Sequence, residues 1–107
     1  MNRYKVVVKE PFKNCELVYP IQQRKVKELV DYLKNNKNIK SIIIFGSSVT
    51  NKCNIDSDVD IYVVMEKDEK IIHRYFNFVF DLWTNFTVDE NLKKEIYKKG
   101  VIVYEQW

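Results

Sequence analysis

Two short motifs hold the side chains that can do chemistry. Phe45-Gly46-Ser47 closes one apolar run, and Asp58-Val59-Asp60 opens another after the turn-rich stretch VTNKCNIDS. Glycine lets a backbone approach a phosphate closely, while a serine hydroxyl and adjacent N–H groups donate to its oxygens. Carboxylates two apart on a strand leave from one face, and hard divalent cations prefer oxygen ligands that also bridge to substrate phosphates. Each motif alone is common; together they predict metal-dependent nucleotidyl or phosphoryl transfer. A further acid, Asp81, stands alone among bulky strand formers in NFVFDLWT. Such a charge belongs either to an exposed edge strand or to a reaction.

The flanking sequence supplies elements able to position these groups. Ser41 to Phe45, SIIIF, is a continuous apolar run suited to a central strand covered on both faces, ended by Gly46. Residues 47–52 suit a short helix, and residues 54–57 a loop. Asp58 to Met65, DVDIYVVM, predicts a strand with Asp58, Asp60, Tyr62 and Val64 on one face and Val59, Ile61 and Val63 on the other. Residues 77–84 alternate as another strand, with Asn77, Val79, Asp81 and Trp83 sharing a side. Between these strands, residues 71–76 fit a short helix or a strand equally well.

Pro20 suits the first turn of a helix, and Val26, Leu29, Val30 and Leu33 follow at i, i+3, i+4 and i+7 to give it an apolar stripe. Val88-Asp89-Glu90 provides an N-cap and first-turn acids for a last helix with Leu92 and Ile96 inward, stopped by Gly100 after Lys98 and Lys99. Residues 101–104 then suit a short final strand. Tyr4 to Lys9 is valine-rich and predicts an edge strand; after the break at Pro11 and Asn14, residues 17–19 make a hairpin or an added edge segment.

The 107 residues are expected to form one domain with a lean core, and 46% apolar with 14% aromatic content favours a folded chain. No run approaches the roughly 20 apolar residues of a membrane span, and MNRYKVVVKE lacks a signal peptide's long apolar region, so a cytoplasmic protein without a membrane partner is expected. Cys15 and Cys53 form no CxxC and have only His73 as a nitrogen partner, which predicts free thiols rather than a structural zinc site. The net charge of +3 is too small to imply nucleic acid, and the lysines are not interleaved with stacking aromatics. His73, Trp83 and Trp107 read as structural or superficial.

The two motifs resemble those of the nucleotidyltransferase superfamily that includes DNA polymerase β, most closely its minimal nucleotidyltransferase branch. The shared signature is hydrophobic-Gly-Ser, about a dozen residues, then Asp-x-Asp and hydrophobics, here Phe45-Gly46-Ser47 and Asp56-Ser57-Asp58-Val59-Asp60-Ile61. It extends more loosely to Asp81 and to the tail LKKEIYKKGVIVYE; residues before about Pro20 lie outside it. Members often carry an arginine after Gly-Ser and a second glycine further on, where Ser48 and Asn51 stand here. Asparagine tolerates the left-handed backbone better than most residues.

The resemblance implies an α/β (α+β) polymerase β-like fold, a mixed sheet with helices packed on it. It implies that Asp58, Asp60 and Asp81 hold two Mg2+ ions and are catalytic, and that Gly46 and Ser47 anchor the phosphates of ATP. Nucleoside monophosphate transfer to a hydroxyl follows, with a helical partner of the HEPN type (higher eukaryotes and prokaryotes nucleotide-binding) or a homo-oligomer, as in toxin–antitoxin pairs whose transferase modifies the toxin. The alternative is an antitoxin that keeps the fold and neutralises its partner by contact.

Overall fold

In the computed structural model, which describes residues 3–106, the SIIIF run lies at the centre of a four-stranded sheet. Strand β1 (Ile39–Phe45) pairs on one side with β2 (Val59–Met65) and on the other with β4 (Val101–Glu105), both antiparallel. Strand β3 (Phe80–Thr84) adds to β2 in parallel, giving the order β3-β2-β1-β4. This mixed α/β arrangement is the one the motifs imply. Helix α1 (Pro20–Leu33) covers one face and α2 (Glu90–Lys99) the other. Among the described residues, no helix is long and apolar enough to cross a membrane; Trp107 lies outside them.

Alternation along the strands divides the core in two. Ile42 and Ile44 of β1 join Val59, Ile61 and Val63 of β2 beneath the α1 stripe of Val26, Leu29, Val30 and Leu33, all buried. Ile43, Phe45 and Tyr62 point the other way, onto Ile96 and Leu92 of α2. Asp60 shares the Tyr62 face, so the reactive groups lie on the α2 side.

A parallel pair needs a crossover, and one that is too short for a helix must find other ways to bury its backbone. The β2–β3 connection is irregular from Glu66 to Val79, neither of the forms expected for residues 71–76. It is held instead by side chains: Ile71 and Phe76 are buried in the α1-side core, and the Phe76 ring meets Tyr32 edge-on at 5.5 Å. The Arg74 guanidinium lies 4.1 Å from the Phe76 ring centre and pairs with Glu28 of α1. Strand β3 consequently starts at Phe80, three residues later than the alternation suggested, and Asp58 falls just before β2.

The expected edge strand at Tyr4 to Lys9 does not form. Valine favours extended backbone, but this segment bonds singly rather than as a ladder. Tyr4 N–H donates to Glu16 O (2.6 Å), Val7 N–H to Gln23 Oε1 (2.8 Å), and Lys5 O accepts from Gln23 Nε2 (2.9 Å). The hairpin expected next is replaced by a single 3-10 turn at Cys15–Leu17, entered through Asn14 at φ 61°. Cys15 and Cys53 are free and buried.

Helix α2 begins as expected, with the Asp89 carboxylate accepting from Leu92 N–H at 2.8 Å. Its end has another cause than a left-handed cap. Gly100 has φ −73°, and its missing side chain makes room for a neighbour: a Cβ there would stand 2.5 Å from Ile43 Cγ2 and 2.5 Å from Ile96 O. The helix thus passes into β4 without a loop. Gly100→Ala is expected to lower stability by about 1–3 kcal/mol through overpacking, read as a fall in the thermal midpoint.

Candidate active site

The site forms where the C-terminal end of β1 meets the N-terminal ends of β2 and β3. Phe45 pairs with Asp60 across the antiparallel ladder, and Asp60 pairs with Asp81 across the parallel one. Register alone therefore brings two of the three carboxylates side by side, with Gly46 the next residue along the neighbouring chain. Asp58 precedes β2 and is exposed, as is Asp81; Asp60 is half-buried. Among the described residues, no three His, Cys, Asp or Glu side chains stand close enough together to hold an ion without adjustment.

Gly46 is glycine for two reasons. Its φ of 73° lies in the left-handed region, and a Cβ would overlap the Asp60 carboxylate. From it the chain turns through one 3-10 turn, Gly46–Val49, in which Thr50 N–H donates to Ser47 O at 3.1 Å. Asn51 does not adopt the left-handed backbone; among the described residues only Asn14 and Gly46 have positive φ. Ser48, at the position where an arginine is frequent in the resembling branch, is fully buried and accepts from Gln22 Nε2 at 3.2 Å.

Electrostatics mark the same spot. Burial, then the charges of Asp81 and Asp58, push the Asp60 carboxyl up to about 6. Two residues along the same face of β2, Tyr62 is fully buried, and burial with its neighbour Tyr97 pushes its hydroxyl up to about 12. Oxygen-only donors that repel one another suit a hard divalent cation, which would relieve that repulsion.

Next to the turn lies an open cleft of about 700 Å³, within the range of small-molecule sites. Phe45, Gly46, Val49, Thr50 and Asn51 form one wall, and Leu92, Glu95, Lys98 and Lys99 of α2 the other. Because α2 runs back toward the site, its last-turn lysines stand at the Gly46 end. The periodicity of α2 placed these lysines at a helix terminus; their proximity to Gly46 depends on the β4–β1 pairing, which a local pattern does not show. Gln22 was hidden in the same way, as a polar residue beside an apolar stripe.

A family model described as Polymerase beta, Nucleotidyltransferase matches residues 27–106. The chain belongs to that family and, at this general level, is a nucleotidyltransferase. No curated protein matches it. The matched span contains both motifs and Asp81, and it starts within α1.

A pH experiment tests the acid cluster. A carboxyl with an ordinary value of about 3.9 when unfolded and about 6 when folded stabilises the fold most below pH 4 and loses that contribution as pH rises through 6. In chelator, Asp60→Asn is therefore expected to melt a few degrees above wild type near about pH 7.5, with the advantage gone near about pH 4. Equal melting curves at both values would show that Asp60 is not under this strain.

Proposed function

We propose that the protein transfers a nucleoside monophosphate, AMP from ATP, to a hydroxyl, with Asp58, Asp60 and Asp81 as metal-binding and catalytic carboxylates. The observation that carries this reading is the Asp60–Asp81 register pair lying against Gly46. The site residues offer what such a transfer requires. The N–H groups of the exposed Gly46 and half-buried Ser47, with the Ser47 hydroxyl, would donate to the terminal phosphates, and Lys98 and Lys99 would balance their charge from the α2 wall of the cleft. The α-phosphate then lies toward the carboxylates, where Asp81, exposed at the sheet edge, accepts the proton of an incoming hydroxyl. Magnesium held by Asp58, Asp60 and Asp81 would supply charge neutralisation at the phosphates and lower the hydroxyl's pKa. Pyrophosphate leaves as the acceptor oxygen attacks in line.

The choice of adenosine comes from the resemblance to minimal nucleotidyltransferases, as does the acceptor, a helical protein of the HEPN type or a second copy of the chain. Among the described residues, strand β3 pairs only with β2, and the exposed Tyr75 and Val79 that precede it give such a partner apolar surface. That all three acids stand at one sheet end supports transfer over a contact-only antitoxin, against which only the Ser48 in place of an arginine can be set.

The test uses ATP labelled at the α-phosphate, with magnesium and a HEPN-type protein. Label is expected to become covalently attached to protein, to stay free when the label is on the γ-phosphate, and to fall by about a hundredfold or more in Asp60→Asn or with chelator. Undiminished transfer by Asp60→Asn defeats the assignment. Replacing both Lys98 and Lys99 by alanine is expected to raise KM for ATP about tenfold with kcat nearly kept, an effect that shrinks at high salt.

A further inference from the structure

We propose that Gln22 is a positioning residue for the site, its amide setting the distance between the Gly46–Val49 turn and the peptide that delivers Asp58. The role assigned to that spacing rests on the nucleotidyl-transfer reading; the spacing itself does not.

Gln22 lies in the first turn of α1 and is 0% exposed. Its Nε2 carries two hydrogens, and two acceptors meet them: Ser48 Oγ at 3.2 Å and Ser57 O at 2.9 Å. Ser48 belongs to the phosphate-side turn, and the Ser57 carbonyl belongs to the peptide bond that leads into Asp58. One amide thus links the two halves of the site from behind, across 26 residues of sequence on one side and 35 on the other. The backbone adds a parallel tie, since Tyr19 N–H donates to Ser48 O at 2.8 Å. A carbonyl oxygen only accepts, so the orientation with Nε2 toward Ser57 is fixed by chemistry.

The other end of the same amide argues against a purely stabilising role. Gln22 Oε1 is buried with no hydrogen-bond partner among the described residues. A bare buried oxygen is unfavourable, and an apolar side chain of the same length would avoid it. Adjacent Gln23 shows the contrast: also fully buried, it bonds Lys5 O, Cys15 O and Val18 O through Nε2 and Val7 N–H through Oε1. Gln23 fastens the N-terminal segment; Gln22 is spent on the site.

Gln22→Met keeps length and burial and deletes both donors. Relief of the unpartnered Oε1 offsets in part the loss of a donor at Ser48 Oγ and Ser57 O, so its thermal midpoint is expected to stay within a few degrees of wild type. In the free protein, the amides of Tyr19, Thr50 and Val59 are expected to exchange about tenfold faster, and Mg·ATP affinity by titration to fall about tenfold. Ser48→Ala, which removes one acceptor with little change in volume, should move both readouts the same way by less. Gln23→Met should lower the midpoint and free the Val7 amide while leaving those three amides and Mg·ATP affinity unaltered. Unaltered exchange at the three amides in Gln22→Met overturns the assignment, and so does unaltered affinity where wild type binds Mg·ATP. Failure of wild type to bind any nucleoside triphosphate would sink the nucleotidyl-transfer reading instead, and the exchange comparison would still decide Gln22.

Discussion

Two carboxylates stand against each other here because backbone register leaves them no alternative. Asp60 is paired with Phe45 on one side and Asp81 on the other, and a slip of one residue in either ladder would turn an acid to the opposite face. The apolar faces enforce the register: β2 cannot slip without exposing Ile61 or burying Asp60 under α1. Stability of the core and placement of the acids are one constraint. The repulsion they create is held in place by hydrogen bonds and packing well away from the charges.

The strand that leads into Gly46 and the strand carrying Asp60 were legible because they are short, apolar and bounded by turn formers. The α1 stripe was equally plain, and every stripe residue is buried. Alternation placed Asp60 on the Tyr62 face of β2, whereas Asp58, expected to open the same strand, lies just outside the ladder. Asp81 needed more: its place beside Asp60 depends on parallel pairing across a 14-residue crossover of residues 66–79 that has no helix to announce it.

Where the reading of the chain failed, tertiary contacts outweighed local preference. Tyr4 to Lys9 has the composition of a strand, but its backbone groups found a buried glutamine first. Gly100 was legible as a helix stop, yet the reason is the crowding of Ile43 against it rather than a left-handed turn. Asn51 was open to a left-handed conformation that Gly46 alone supplies at this turn. Buried amides are the hardest feature to foresee, because a glutamine in a helix looks the same in sequence whether it faces water or the core.

The loopless passage from α2 into β4 bears on how the cleft can behave. Lys99 is separated by one glycine, and Lys98 by one residue more, from a strand bonded directly to β1. A wall attached so closely to the central strand has no hinge, and drawing it inward would tear the ladder at the end that leads into Gly46. Within this domain, adaptation to a ligand is left to lysine side chains and to the turn. Discrimination between one polyphosphate and another then becomes a matter of reach, set by four methylenes rather than by a moving lid.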